Sequence, residues 1–127
     1  MKDEDKKRIA ESFLAGLRGL DAEILGGIMT EDVTSELPGE SLVSGVANGV
    51  SGIINRARTL AKYKVSIALL YILYGRDCVA IQLHNTGSSG GRVLDEHLTT
   101  VLFLREGRAW RLVTAISDVP MLNAYFS

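Results

Sequence analysis

Two histidines, one cysteine and a few carboxylates set among apolar strand patterns are the residues that could do chemistry in this 127-residue chain. Asp118 follows the last apolar run. A carboxylate buried there beside Ile116 and Phe126 would have a raised pKa, suited to taking a proton next to a carbonyl. The same position suits it to cap a terminal segment around Pro120. His97 shares one alternating set with Asp95, Thr99, Val101 and Phe103. If that set faces a pocket, His97 could polarise a carbonyl or shuttle a proton, and Thr99 points the same way; a structural hydrogen bond near the pocket mouth is the plainer role. Gln82 and His84 alternate together on the preceding strand, where Gln82 could hydrogen-bond a ligand and His84 lies near a Ser/Gly run. Glu36 and Glu96 point away from these candidates and read as rim or interface residues. Cys78 begins an apolar run and reads as a small buried hydrophobe. With two imidazoles and no Cys-x-x-Cys pair, no metal site is expected.

The stretch that must position these groups is Arg92–Ser117, two long strands joined by the turn Arg105-Glu106-Gly107-Arg108. Both of its alternating sets are apolar over much of its length, which predicts protein contact on both faces. Upstream, Ile9, Phe13, Leu14 and Leu17 recur at helical spacing within Asp3–Leu20. Asp21 caps a second, shorter helix. Val33–Leu37 predicts a short strand stopped by Pro38-Gly39, and Glu40–Gly49 a loop. Val50–Lys62 is the clearest helix. Tyr63–Tyr74 and Cys78–Thr86 predict strands, with Gly87–Gly91 as a mobile connection. Helices gathered early and hairpin-linked strands late imply one α+β domain over residues 1–127. A single layer of helices leaves the other sheet face uncovered, which predicts a homodimer through the sheet. Trp110 reads as core or dimer contact, and Tyr71 and Tyr74 as cavity or interface.

A net charge of −1 with scattered basic residues gives no field to attract nucleic acid or an anionic membrane. The charged N-terminus does not resemble a signal peptide, and the most apolar segment, Val65–Leu73, is too short to span a bilayer. A cytoplasmic location is the resulting expectation.

Three stretches in this order, Ser35–Ala57, Thr99–Leu112 and Ser117–Phe126, resemble the nuclear-transport-factor-two-like superfamily and, within it, the SnoaL-like group. The resemblance spans nearly the whole chain. It implies a cystatin-like cone: a bent antiparallel sheet with three helices packed on its concave side, around an apolar pocket. It also implies pocket positions at Phe13, Leu37, Gln82, His84, Thr99, Leu112, Thr114 and Ile116. Laid over ketosteroid isomerase, a member of this superfamily, the expected tyrosine falls on Phe13, the base on Leu37 and the second aspartate on Thr99, so that chemistry is disfavoured. A limonene-type epoxide hydrolase would need Asp and Arg on Val79–His84 and a carboxylate where Thr114 stands. The SnoaL-like cyclases place an acid/base aspartate near Asp118. The implied activity is cofactor-free acid/base catalysis, of cyclase, isomerase or dehydratase type, on a small hydrophobic carbonyl compound, with Asp118 and His97 as catalytic candidates. The alternative is a non-catalytic small-molecule-binding or dimeric association domain.

Overall fold

The computed structural model describes all residues, Met1–Ser127. Helix α1 spans Asp3–Gly19, with Asp3, Glu4 and Asp5 in its first turn, where the helix dipole favours negative charge. Its buried stripe is Ile9, Ala10, Phe13 and Leu14. It stops where Leu20 turns left-handed (φ 51°) and the Leu20 and Asp21 amides close onto Leu17 and Gly16. Helix α2, Ala22–Ile28, starts on the Asp21 carboxylate, which accepts from the Glu23 and Ile24 amides. Strands β1 (Met29–Leu37) and β2 (Gly45–Asn48) precede α3 (Gly49–Lys62). Strands β3 (Ser66–Tyr74), β4 (Cys78–Ser89), β5 (Arg92–Arg105) and β6 (Arg108–Ile116) follow, and α4 (Val119–Tyr125) ends the chain.

The six strands form one curled, unclosed sheet in the order β2-β1-β6-β5-β4-β3. The α+β class and the bent sheet follow the expectation, with three corrections. The sheet is not wholly antiparallel, because β1 runs parallel to β6, Ser35 beside Leu112. Glu40–Gly49 is not all loop: Gly45–Asn48 pairs with β1 as an edge strand too short to show a period. The helices number four rather than three, since the terminal segment completes a helix on the Asp118 cap.

The β4–β5 connection also differs from the five-residue mobile loop expected. Both strands continue to the two-residue turn Gly90-Gly91, whose φ values of 58° and 79° are those of a type I′ hairpin. Glu106-Gly107 repeats the device between β5 and β6, with φ 52° and 80°. Breaks in register between Leu69 and Tyr71, and between Phe103 and Leu104, interrupt the long ladders. Such bulges bend a strand and deepen its twist, which lets the sheet curl.

The concave face of the sheet carries the core. Val79, Ile81 and Leu83 of β4, Leu102 of β5 and Leu112 of β6 meet Ile9, Phe13 and Leu14 of α1 and Ile53 and Ile54 of α3. A second cluster, Val43, Leu94, Leu122, Tyr125 and Phe126, anchors α4 at the other end. Tyr125 donates its phenol to the Tyr63 carbonyl, which ties α4 to the exit of α3.

Candidate functional site

Between these clusters the concave face holds a cavity of ≈ 90 Å³. Fourteen of its twenty lining residues are hydrophobic, so the remaining six set its chemistry: Ser35, Arg56, Asn85, Glu96, Thr100 and Thr114. Strand alternation places them. On β5 the inward set runs Leu94, Glu96, Leu98, Thr100, Leu102. Antiparallel partners share a face, so Asn85 opposes Glu96 from β4 and Thr114 opposes Thr100 from β6.

Glu96 is 1% exposed. Its Oε1 accepts from the Asp118 amide at 2.8 Å and from the Ser117 hydroxyl at 3.0 Å. Its Oε2 is buried with no protein partner, as is Oδ1 of its neighbour Asn85. Burial raises the carboxyl's pKa, against the opposing pull of the Ser117 and Asp118 hydrogen bonds. The Thr100 and Thr114 hydroxyls bond each other at 2.7 Å. Arg56 reaches in from α3 and donates to the Ser35 carbonyl and hydroxyl, both at 3.1 Å, and to the Gly45 carbonyl at 2.9 Å. Burial pushes its pKa down.

The structure distributes the expected site residues over several surroundings. Phe13, Leu37, Thr114 and Ile116 line the cavity. Leu112 is fully buried in the core rather than among the lining residues. Gln82, His97 and Thr99 border a depression that also includes Leu70 and Ala115. His84 stacks on His97 with ring centroids 4.4 Å apart, and its Nε2 lies 2.5 Å from Asp95 Oδ1. The set Asp95-His97-Thr99 is therefore the convex one, the reverse of the expected facing. Both sets on β5 are rich in apolar residues, so alternation alone left the phase of the strand open.

Asp118 is not among the lining residues; its carboxylate caps α4 by accepting from the Met121 amide at 3.0 Å. Its backbone, not its side chain, touches the cavity's acid. Glu96, expected at the rim, is the buried carboxyl of the site, and Arg56 and Asn85 join it at the cavity unexpectedly. A signal for Glu96 was present. Val79, Ile81 and Leu83 mark the inner face of β4 unambiguously, and a two-residue Gly90-Gly91 turn pairs Asn85 with Glu96 on that face. Nowhere do three or more His, Cys, Asp or Glu side chains gather as metal ligands would.

A curled open sheet with helices closing an apolar cavity defines the class. No family model and no curated protein matches the chain. Solved structures do. An NTF2-like protein from Burkholderia xenovorans LB400 superposes with a TM-score of 0.85 at 18% identity, over 100% of this chain and 99% of that one. Bal32a, from a soil-derived mobile gene cassette, gives 0.83 at 22% identity, over 97% and 99%. A putative SnoaL-like polyketide cyclase from Jannaschia sp. CCS1 gives 0.74 at 14%, over 100% and 96%. The protein thus has the nuclear-transport-factor-two-like, cystatin-like fold, and its structural neighbours include a SnoaL-like one.

Proposed function

We propose that the cavity binds a small hydrophobic carbonyl compound and that Glu96 moves a proton on it, in a cofactor-free reaction of cyclase, isomerase or dehydratase type. The observation that carries this reading is the second carboxyl oxygen of Glu96, buried and unpartnered at an apolar cavity. A carboxyl whose charged form is disfavoured by burial is a stronger base once ionised, suited to a C–H beside a carbonyl. Taking that proton neutralises it in surroundings that favour the neutral form. The acid/base role expected of Asp118 and His97 thus passes to Glu96, because a helix cap and a convex-face ring are not directed at the cavity. The likeness to a putative SnoaL-like polyketide cyclase supports the reaction class.

The test is α-hydrogen exchange of 2-tetralone in D₂O, followed by NMR. The wild-type protein is expected to accelerate exchange and Glu96→Gln to lower the rate by about 10²–10⁴-fold. His97→Ala and Asp118→Asn, which keeps the cap, leave it nearly unchanged. Exchange that survives Glu96→Gln sinks the assignment. Binding without turnover is the second reading, favoured because Glu96 Oε1 already has a structural task in holding Ser117 and Asp118. Tight uptake of 2-tetralone with no accelerated exchange would select it.

We also assign the convex face to a homodimer. Leu70, Tyr71 and Leu73 of the edge strand β3 are all exposed on this side, Tyr71 to 64%. Apolar groups gathered on one open sheet face favour association with a like surface. No helix is long and apolar enough to cross a membrane.

A further inference from the structure

Apart from Thr100 and Thr114, which satisfy each other, the polar groups of the cavity fall into two separate sets with opposite needs. At one, Glu96 Oε2 and Asn85 Oδ1, paired across β4 and β5, are two buried acceptors that lack a donor. At the other, Arg56 makes three hydrogen bonds, all to neutral oxygens of Ser35 and Gly45. A guanidinium has five N–H donors, so at least two are left over. No carboxylate lies within ion-pair distance of it: the arginines that are so paired are Arg8 with Asp5, Arg105 with Asp32 and Arg111 with Glu36. A partly buried cation without a counter-charge is costly, and a ligand that brings the anion relieves that cost.

The two sets are held apart by the sheet. Arg56 is fastened to Ser35 on β1, Glu96 stands on β5, and β6 runs between them. Two strand spacings amount to roughly 10 Å. That separation, within a cavity of ≈ 90 Å³, suits a two-ring molecule with a polar group at each end.

Resting on the reading of this cavity as the ligand site, we infer that its ligand is an amphipathic carboxylate: an apolar body of two-ring size with the carboxylate at Arg56 and a hydroxyl, phenolic or the enol form of the carbonyl, whose one proton is shared in a three-centre bond between Glu96 and Asn85. Arg56 is then the specificity-determining residue. It chooses acids over neutral ketones and orients them so that the reacting end meets Glu96.

Fluorescence titration with 6-hydroxy-2-naphthoic acid, its methyl ester and 2-naphthol tests the assignment. The acid is expected to bind about tenfold or more tighter than the ester, because a charge-assisted pair is replaced by a neutral one. Arg56→Met brings the acid-to-ester ratio close to one while the ester keeps its affinity. Arg56→Lys, which keeps the charge without the fork, retains part of the preference and serves if the Met variant does not fold. Asn85→Leu weakens the hydroxy acid but not 6-methoxy-2-naphthoic acid. Equal binding of acid and ester, or a ratio that Arg56→Met and Arg56→Lys leave intact, overturns the carboxylate assignment while 2-naphthol binding still upholds the cavity. If no member binds, both readings fall.

Discussion

The two faces of β5 offer similar residue types to opposite surroundings. Inward, Glu96 and Thr100 are buried, and Thr100 finds its partner in Thr114. Outward, Asp95 is exposed and paired with His84, while His97 lies against the His84 ring. The carboxyl of Glu96 is raised above its ordinary value by burial, whereas that of Glu36, held by Arg111 at 2.7 Å in the open, is lowered by that hydrogen bond. The surroundings given by the face, rather than the residue type, decide which carboxylate is available for proton transfer.

Replacing neighbours on either face should show the contrast at its largest. Leu102→Ala empties a fully buried position and is expected to cost about 2–5 kcal/mol in chemical denaturation. Val101→Ala, on the outward side, should cost under about 1 kcal/mol in the isolated subunit. Equal losses would erase the distinction between the faces. Tyr71→Glu probes the convex side: the wild type is expected to scatter light as a dimer at micromolar concentration and the variant as a monomer. A wild type that is monomeric there removes the dimer and leaves the outward apolar groups unexplained.

The smallest effect sharpens the comparison through pH. Glu96 has a folded pKa above its ordinary 4.5, so the folded state holds the proton more tightly than the unfolded chain. Its burden on stability is absent well below pH 4.5, grows as pH rises from there to the folded value, and is constant above it. Glu96→Gln removes that burden, so its melting temperature relative to wild type should climb with pH across this window and then level off. A difference that is flat from pH 4 to 8 would place Glu96 with the exposed carboxylates.

Where one principle dominated locally, the sequence was legible. The stripe Ile9, Phe13, Leu14, the Asp21 cap and the Glu106-Gly107 turn each appear as read. β2 was missed because four residues hold no period, and the parallel β1–β6 pairing leaves no local mark at all. The phase of the inner wall hangs on the β4–β5 connection. A five-residue flexible loop at Gly87–Gly91 carries no register, whereas the two-residue turn carries it in full and places Asn85 and Glu96 on the inner face. Arg56 is hidden in the sequence for another reason. On α3 it lies beside the polar stripe of an amphipathic helix, and only the curl of β1 and β2 around it turns that position inward.

The parallel pairing of β1 with β6 also bears on how the chain reaches its native state. Ser35 and Leu112 are sheet neighbours although most of the sequence separates them. Until Arg108–Ile116 has left the ribosome, β1 has only the four-residue β2 beside it. The β3–β4–β5 meander, joined by short turns, can form earlier from contacts close in sequence. Closing the loop between β1 and β6 carries the largest entropy cost among the sheet pairings and should dominate the folding barrier.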